Sequence, residues 1–310
     1  MRALRGHKLV WIARRLLSAL ALGILVGCSA TPYQYGRNLH TEDDAPLPPG
    51  ETQIERGRPM PILDALGWVV GIPSKVIMLD HRVNNHDISP ATEAKLQEYL
   101  ATNRLAKVKV RLNEYDPVGE WERLVHNESV AWPLRYTFGT VNVLGYTLLP
   151  GRILGGDHYN PYTNSISLYS DVPGLALYEG GLSKDYAQRE YKGLYAVAYY
   201  VPGVGLLCQD AHASADAMGY IRENGSPPEI KEGYRSVCPA YAVNATEPFE
   251  DIVGAPLILP AALVGHVVGQ VKAASIKAPA AAPTCRAVGA APLPADRCTD
   301  LGAEHKDPSK

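Results

Sequence analysis

Phenylalanine is nearly missing from this 310-residue chain, with two residues against 18 tyrosines. Aromatic bulk is therefore carried by a ring with a polar tip, which suits half-buried and interfacial positions. No Cys-x-x-Cys occurs, which argues against a zinc knuckle or a thioredoxin-like redox pair. G-x-S-x-G, the P-loop and a G-x-G-x-x-G after a strand are also missing, and Gly203-Val204-Gly205 is isolated. Removing residues 1–27 takes five basic and no acidic residues, moving the formal charge from −2 to −7. An acidic chain without a basic block argues against nucleic acid as a partner.

The N-terminus has a clear design. Arg2, Arg5, Lys8, Arg14 and Arg15 precede an apolar run, Leu16 to Gly27, too short for an ordinary span. This predicts a signal peptide over 1–27. The ending Leu25-Val26-Gly27-Cys28 resembles a bacterial lipobox. The resemblance implies acylation of Cys28, cleavage before it, and attachment to the cell envelope membrane by several acyl chains. Ser29 after the cysteine favours the outer membrane, facing either the periplasm or the cell surface.

An oxidising envelope compartment fits the remaining cysteines, which are even in number. Cys208, Cys238, Cys285 and Cys298 allow three pairings. Cys208–Cys238 and Cys285–Cys298 are favoured because each pair lies within one region.

Residues 28–60, rich in Pro, Gly, Thr and acidic groups, read as a flexible tether. A single domain over 61–275 follows, then an Ala/Pro-rich tail over 276–310. Leu63 to Leu79 predicts a helix and a turn. Ser89-Pro90 opens another helix as N-cap and first residue. Lys107 to Asn113 alternates, predicting a strand with one buried face. Trp121 to His126 reads as a short helix, and Leu134 to Leu149 as one or two strands. Asn164 to Ser170 alternates again and is expected at a sheet edge. Pro173 starts a helix, a second runs from Leu194 to about Glu223 with a break at Pro202-Gly203, and 225–239 reads as loop. Residues 252–271 carry no Asp, Glu, Lys or Arg. They predict an apolar helix that packs on the domain, lies on the membrane or spans it.

One stretch carries chemistry. In H-E-x-x-H, two histidines one helical turn apart face one zinc and the intervening Glu activates its water. In Tyr178-Glu179-Gly180-Gly181-Leu182 the Glu remains while Tyr178 and Leu182 hold the histidine positions. Leucine ligates no metal. Residues from about 67 to 223 resemble a family of uncharacterised bacterial envelope proteins similar to zincin-type, gluzincin-like metallopeptidases. Gly155 to Asn164, Ser165 to Asp171 and Tyr178 to Leu182 carry the likeness.

The resemblance implies an α+β, zincin-like domain. It would have a small mixed sheet, an edge strand beside the cleft, and a Glu-bearing helix followed by a second helix. It implies a third-ligand segment at His212 to Asp216, with Asp210 half a turn away as another register. With the ligand positions changed, no metal is expected. Glu179 is then a vestigial general base, and His158, His212 and Asp216 are the candidates for a rebuilt site. The expected function is binding or scaffolding, with a peptide or protein ligand in the old cleft. Two alternatives stay open. One is an active hydrolase using Glu179 with His158 and His212, with zinc as its possible cofactor; the other is a purely structural envelope lipoprotein. Two adjacent glycines cost a helix interior about 1.5–2 kcal/mol, so Gly180 and Gly181 call for a reason.

Overall fold

The computed structural model describes residues 30–198, 205–246 and 257–277. The expected signal peptide, Cys28, Cys285 and Cys298 lie outside them, as do 252–256 of the apolar stretch and 278–310 of the tail.

The architecture is α+β: a four-stranded mixed sheet covered by helices. The strands are β1 (Ile54–Arg56), β2 (Lys109–Leu112), β3 (His158–Asn160) and β4 (Ser165–Leu168). Their order is β1-β2-β4-β3, with β1, β2 and β4 parallel and β3 antiparallel to β4. The strand expected at the edge, Asn164–Ser170, is therefore internal, and the outer strand beside the site is β3. The three residues of β3 are too short to show an alternating pattern.

β2 is buried on both faces, not one. Val110 and Leu112 join the apolar core. Lys109 reaches Glu51 at 2.5 Å and Glu55 at 2.7 Å, and Arg111 reaches Glu120 and Asp116, each at 3.0 Å. Buried cations persist because each finds carboxylates.

The helices before β2 are α1 (Pro61–Val70), α2 (Ile72–Met78) and α3 (Pro90–Thr102). A bend of 50° at Gly71 separates α1 from α2. Ser89 caps α3 by accepting from Thr92 N, with Pro90 next, as its sequence predicts. After β2 come α4 (Pro117–His126), α5 (Trp132–Leu134), a π-helical turn (Arg135–Gly139), α6 (Thr140–Leu148) and α7 (Gly151–Leu154). The strands expected over 134–149 are thus helical. Their β-branched and aromatic residues gave a weak local preference that tertiary context overrode.

After β4 come α8 (Pro173–Ala187), α9 (Lys192–Ala198), α10 (Gly205–Asn224), α11 (Pro227–Asn244) and α12 (Ile258–Ser275). The segment 225–239, expected as loop, is mostly α11. Its start signal is a capping box: Ser226 and Glu229 bond each other's backbone across Pro227 and Pro228. The apolar C-terminal helix α12 packs against α11. Ala261, Gly265, Gly269 and Ala273 recur every fourth residue and are buried. A Cβ on Gly265 would lie 2.5 Å from Pro239 Cα, and one on Gly269 2.5 Å from Tyr234 O, both on α11. Small residues let the two backbones meet.

Residues 30–60 depart from the expected flexible tether. They run along the domain because specific groups fix them. The Tyr33 ring meets Tyr220 edge-on, His40 N donates to Ala187 O at 2.7 Å, and Asp44 pairs with Lys192. β1 then joins the sheet.

Candidate functional site

Helix α8 is buried on nearly every side, so each of its polar groups needs a partner. It packs between α3 and α10. Gly180 and Gly181 make this possible. A Cβ on Gly180 would lie 2.9 Å from the Tyr99 ring, and one on Gly181 2.7 Å from Ala213 O. Close helix approach is the reason for the glycine pair.

Tyr178, at the first histidine position, donates its hydroxyl hydrogen bond to Asp210 of α10. It accepts one from Asn244 Nδ2 of α11 at 3.1 Å. Burial, then the Asp210 charge, pushes this phenol well above its ordinary range, so it stays protonated. Leu182, at the second histidine position, lines a cavity together with Tyr178.

Glu179 is 5% exposed. Its carboxyl accepts from the backbone N–H of Tyr159 on β3. Its Oε2 has no hydrogen-bond partner among the described residues. Burial, followed by the charges of Asp157 and Asp210, holds its pKa well above the carboxylate range. Asp157 is itself held by the backbone N–H groups of Tyr169 (2.6 Å) and Ser170 (3.0 Å). Burial raises its pKa too. A protonated Glu179 is a hydrogen-bond donor, not a base.

Two cavities flank this glutamate. One, of about 330 Å³, is lined by His158, Tyr178, Leu182, Asp210 and Asn244 among others. The other, of about 280 Å³, is walled by Ile77 and Met78 of α2, Asp157, Val243 and Ile258. Glu179 and Tyr178 belong to both.

The remaining candidates divide between two places. His158 lines the larger cavity, and its Nδ1 bonds Gly156 O of its own turn at 2.9 Å. His212 and Asp216 do not reach Glu179. Asp216 pairs with Lys184 at 2.7 Å and accepts from Tyr99. His212 lies 3.5 Å from Asp185, which also meets Arg189 and Tyr195. They line a separate groove of about 290 Å³ with Lys184. The reason is helical geometry: at about 100° per residue, His212 lies roughly 200° around α10 from Asp210. The register that brings α10 to the glutamate is Asp210, not His212 or Asp216. The Lys184 ammonium, on the same helix as Glu179, is taken by Asp216 and Gln34 O.

Asp157, Asp210 and Asn244 complete the site. Asp157 lay within the Gly155 to Asn164 segment, but nothing in its spacing marked it. Asn244 follows a stretch that reads as loop and could not be placed. Among the described residues no group of three or more His, Cys, Asp or Glu side chains is arranged to hold a metal ion.

The cysteines also differ from expectation. Cys208 is a free, exposed thiol, so the Cys208–Cys238 bridge is not formed. Cys238 is fully buried on α11, where it packs in the main core.

Comparison with protein-family models, curated proteins and solved structures returns no match for this chain.

Proposed function

We propose that this chain is an envelope lipoprotein, anchored through Cys28, whose zincin-like domain has exchanged metal chemistry for binding. The observation that carries the reading is the fate of Tyr178. Where the motif puts a ligand histidine, a protonated phenol is held between Asp210 and Asn244. With Leu182 beside it, the two histidines that would bind zinc directly are replaced by groups that do not ligate it. A lone carboxylate would hold the ion poorly.

The ligand is a peptide or protein segment that enters the cavity beside Glu179. The protonated carboxyl donates to a ligand carbonyl through the oxygen that lacks a partner. Strand addition along 164–170 is not part of this reading, because β4 is covered on both sides by β2 and β3.

Glu179→Gln separates binding from hydrolysis. Glutamine keeps a donor at that position, so peptides selected from a library should bind it as they bind the wild type. Glu179→Ala should weaken them. If the wild-type chain cleaves any of those peptides and Glu179→Gln abolishes cleavage with folding intact, the glutamate is a working base and the binding reading is wrong.

A further inference from the structure

The surface outside the site has an inverted pattern. Across 61–79 every exposed residue is apolar: Ile62, Leu66, Trp68, Val69, Val70, Ile72, Val76 and Leu79 are joined only by alanine and prolines. The two charged residues of the segment turn inward. Asp64 bonds Arg152 at 2.6 Å and Asn113 at 3.1 Å. Lys75 is buried and donates to Trp68 O and Asn84 O. A helix pair in water has the opposite arrangement.

Residues 131–156 repeat the pattern. Trp132, Tyr136, Phe138, Val141, Leu144, Leu148, Leu149 and Leu154 are exposed, with no exposed charge among them. Arg135 and Arg152 are buried, the first over the Tyr136 ring and the second against Asp64. The two segments are continuous, because α1 packs on α7. α2 in turn packs on α12, where His266 bonds Ile77 O at 2.8 Å. There Leu259, Leu263, Val267 and Val271 extend the apolar surface. Apolar patches on monomers rarely exceed a few hundred Å².

We propose that this face, formed by α1, α2, α5 to α7 and the outer side of α12, is seated in the surface of a phospholipid bilayer. Three features choose lipid over a protein partner. Exposed charge is missing over two whole segments, whereas a protein interface has a polar rim. The charged groups of these helices turn into the domain, where Asp64 pairs with Arg152, Lys75 donates to backbone carbonyls and Arg135 lies over the Tyr136 ring, away from a medium that cannot hydrate them. Two tryptophans and a tyrosine stand on the face, the residue types that favour the headgroup level. The anchor expected at Cys28 supplies the membrane, and that part rests on the reading above; the docking face itself does not. Ile77 and Met78 place the seated helix α2 directly against the cavity beside Glu179.

Trp68 and Trp132 report the contact. The full chain, purified in detergent, is reconstituted into phosphatidylcholine–phosphatidylglycerol vesicles with brominated acyl chains. Signals of the two tryptophans are isolated by difference from the W68F and W132F chains. Bromolipid should abolish much of their emission, and aqueous iodide should fail to quench it. Val69→Glu with Leu148→Glu, at positions 55% and 69% exposed, should fold normally and restore iodide quenching. Quenching by iodide but not bromolipid in the wild type would mean a domain that hangs free on its anchor. Protection from both would mean a protein occupant. Either result overturns the proposal. An acyl-labelling failure at Cys28 with bromolipid quenching retained would instead remove only the anchor.

Discussion

Glu179 and Tyr178 set the chemistry at the scale of single residues. A carboxyl whose pKa is raised on folding binds its proton more tightly in the native state than in the unfolded one. Stability from it is complete below the unfolded value, near 4.3, and falls as pH rises toward the native value. Glu179→Gln should therefore melt higher than the wild type at pH 8, with the gap closing at pH 4. A lower melting temperature at pH 8 would show that the carboxylate form is the native one. Tyr178→Phe removes the donor to Asp210 inside the protein. It should cost about 1–3 kcal/mol, read from denaturant midpoints. A change within a few tenths of a kcal/mol would mean that the phenol is not structural.

The elements explain the glycines and the limits of sequence reading. Gly181→Ala gains about 1 kcal/mol of helix propensity. It also drives a methyl group to 2.7 Å from the Ala213 carbonyl, a backbone atom that cannot swing away. Overpacking of this kind costs about 1–3 kcal/mol, so the net effect should be a lower melting temperature. Gly180→Ala meets the Tyr99 ring instead, a side chain that can give, and should cost less. If Gly181→Ala stabilises the chain, the close approach of α8 and α10 is wrong. Legibility followed local signals. Ser89-Pro90 and Pro173 marked helix starts because capping is local, and Lys109 to Leu112 alternated because a strand has period two. Tyr136 to Val143 misled because β-branched and aromatic residues fit either element when the surroundings decide. α11 was missed although Ser226 and Glu229 announce it. Asp210 could not be chosen over His212 without knowing which face of α10 turns toward α8.

At the scale of the molecule, burial and exposure divide the chain in an unusual way. Apart from Glu179, the ionic residues of α8 and β2 are enclosed and paired, while whole helices outside them carry apolar surface. Residues 30–60 wrap the domain, so the anchor expected at Cys28 would hold it close to a membrane and not at the end of a loose chain. Cells fed labelled palmitate should label the wild type, and Cys28→Ala should lose the label. Label on the variant would place acylation elsewhere.

Whether zinc has been given up is decided most directly by elemental analysis of the full chain. It should be purified without chelator, dialysed and measured by mass spectrometry for metal per chain. With Tyr178 held between Asp210 and Asn244, and Leu182 at the second position, zinc should fall well below one atom per chain even after zinc is supplied. One tightly held zinc per chain, lost on replacing Glu179, His158 or Asp210, would contradict the exchange of metal chemistry for binding.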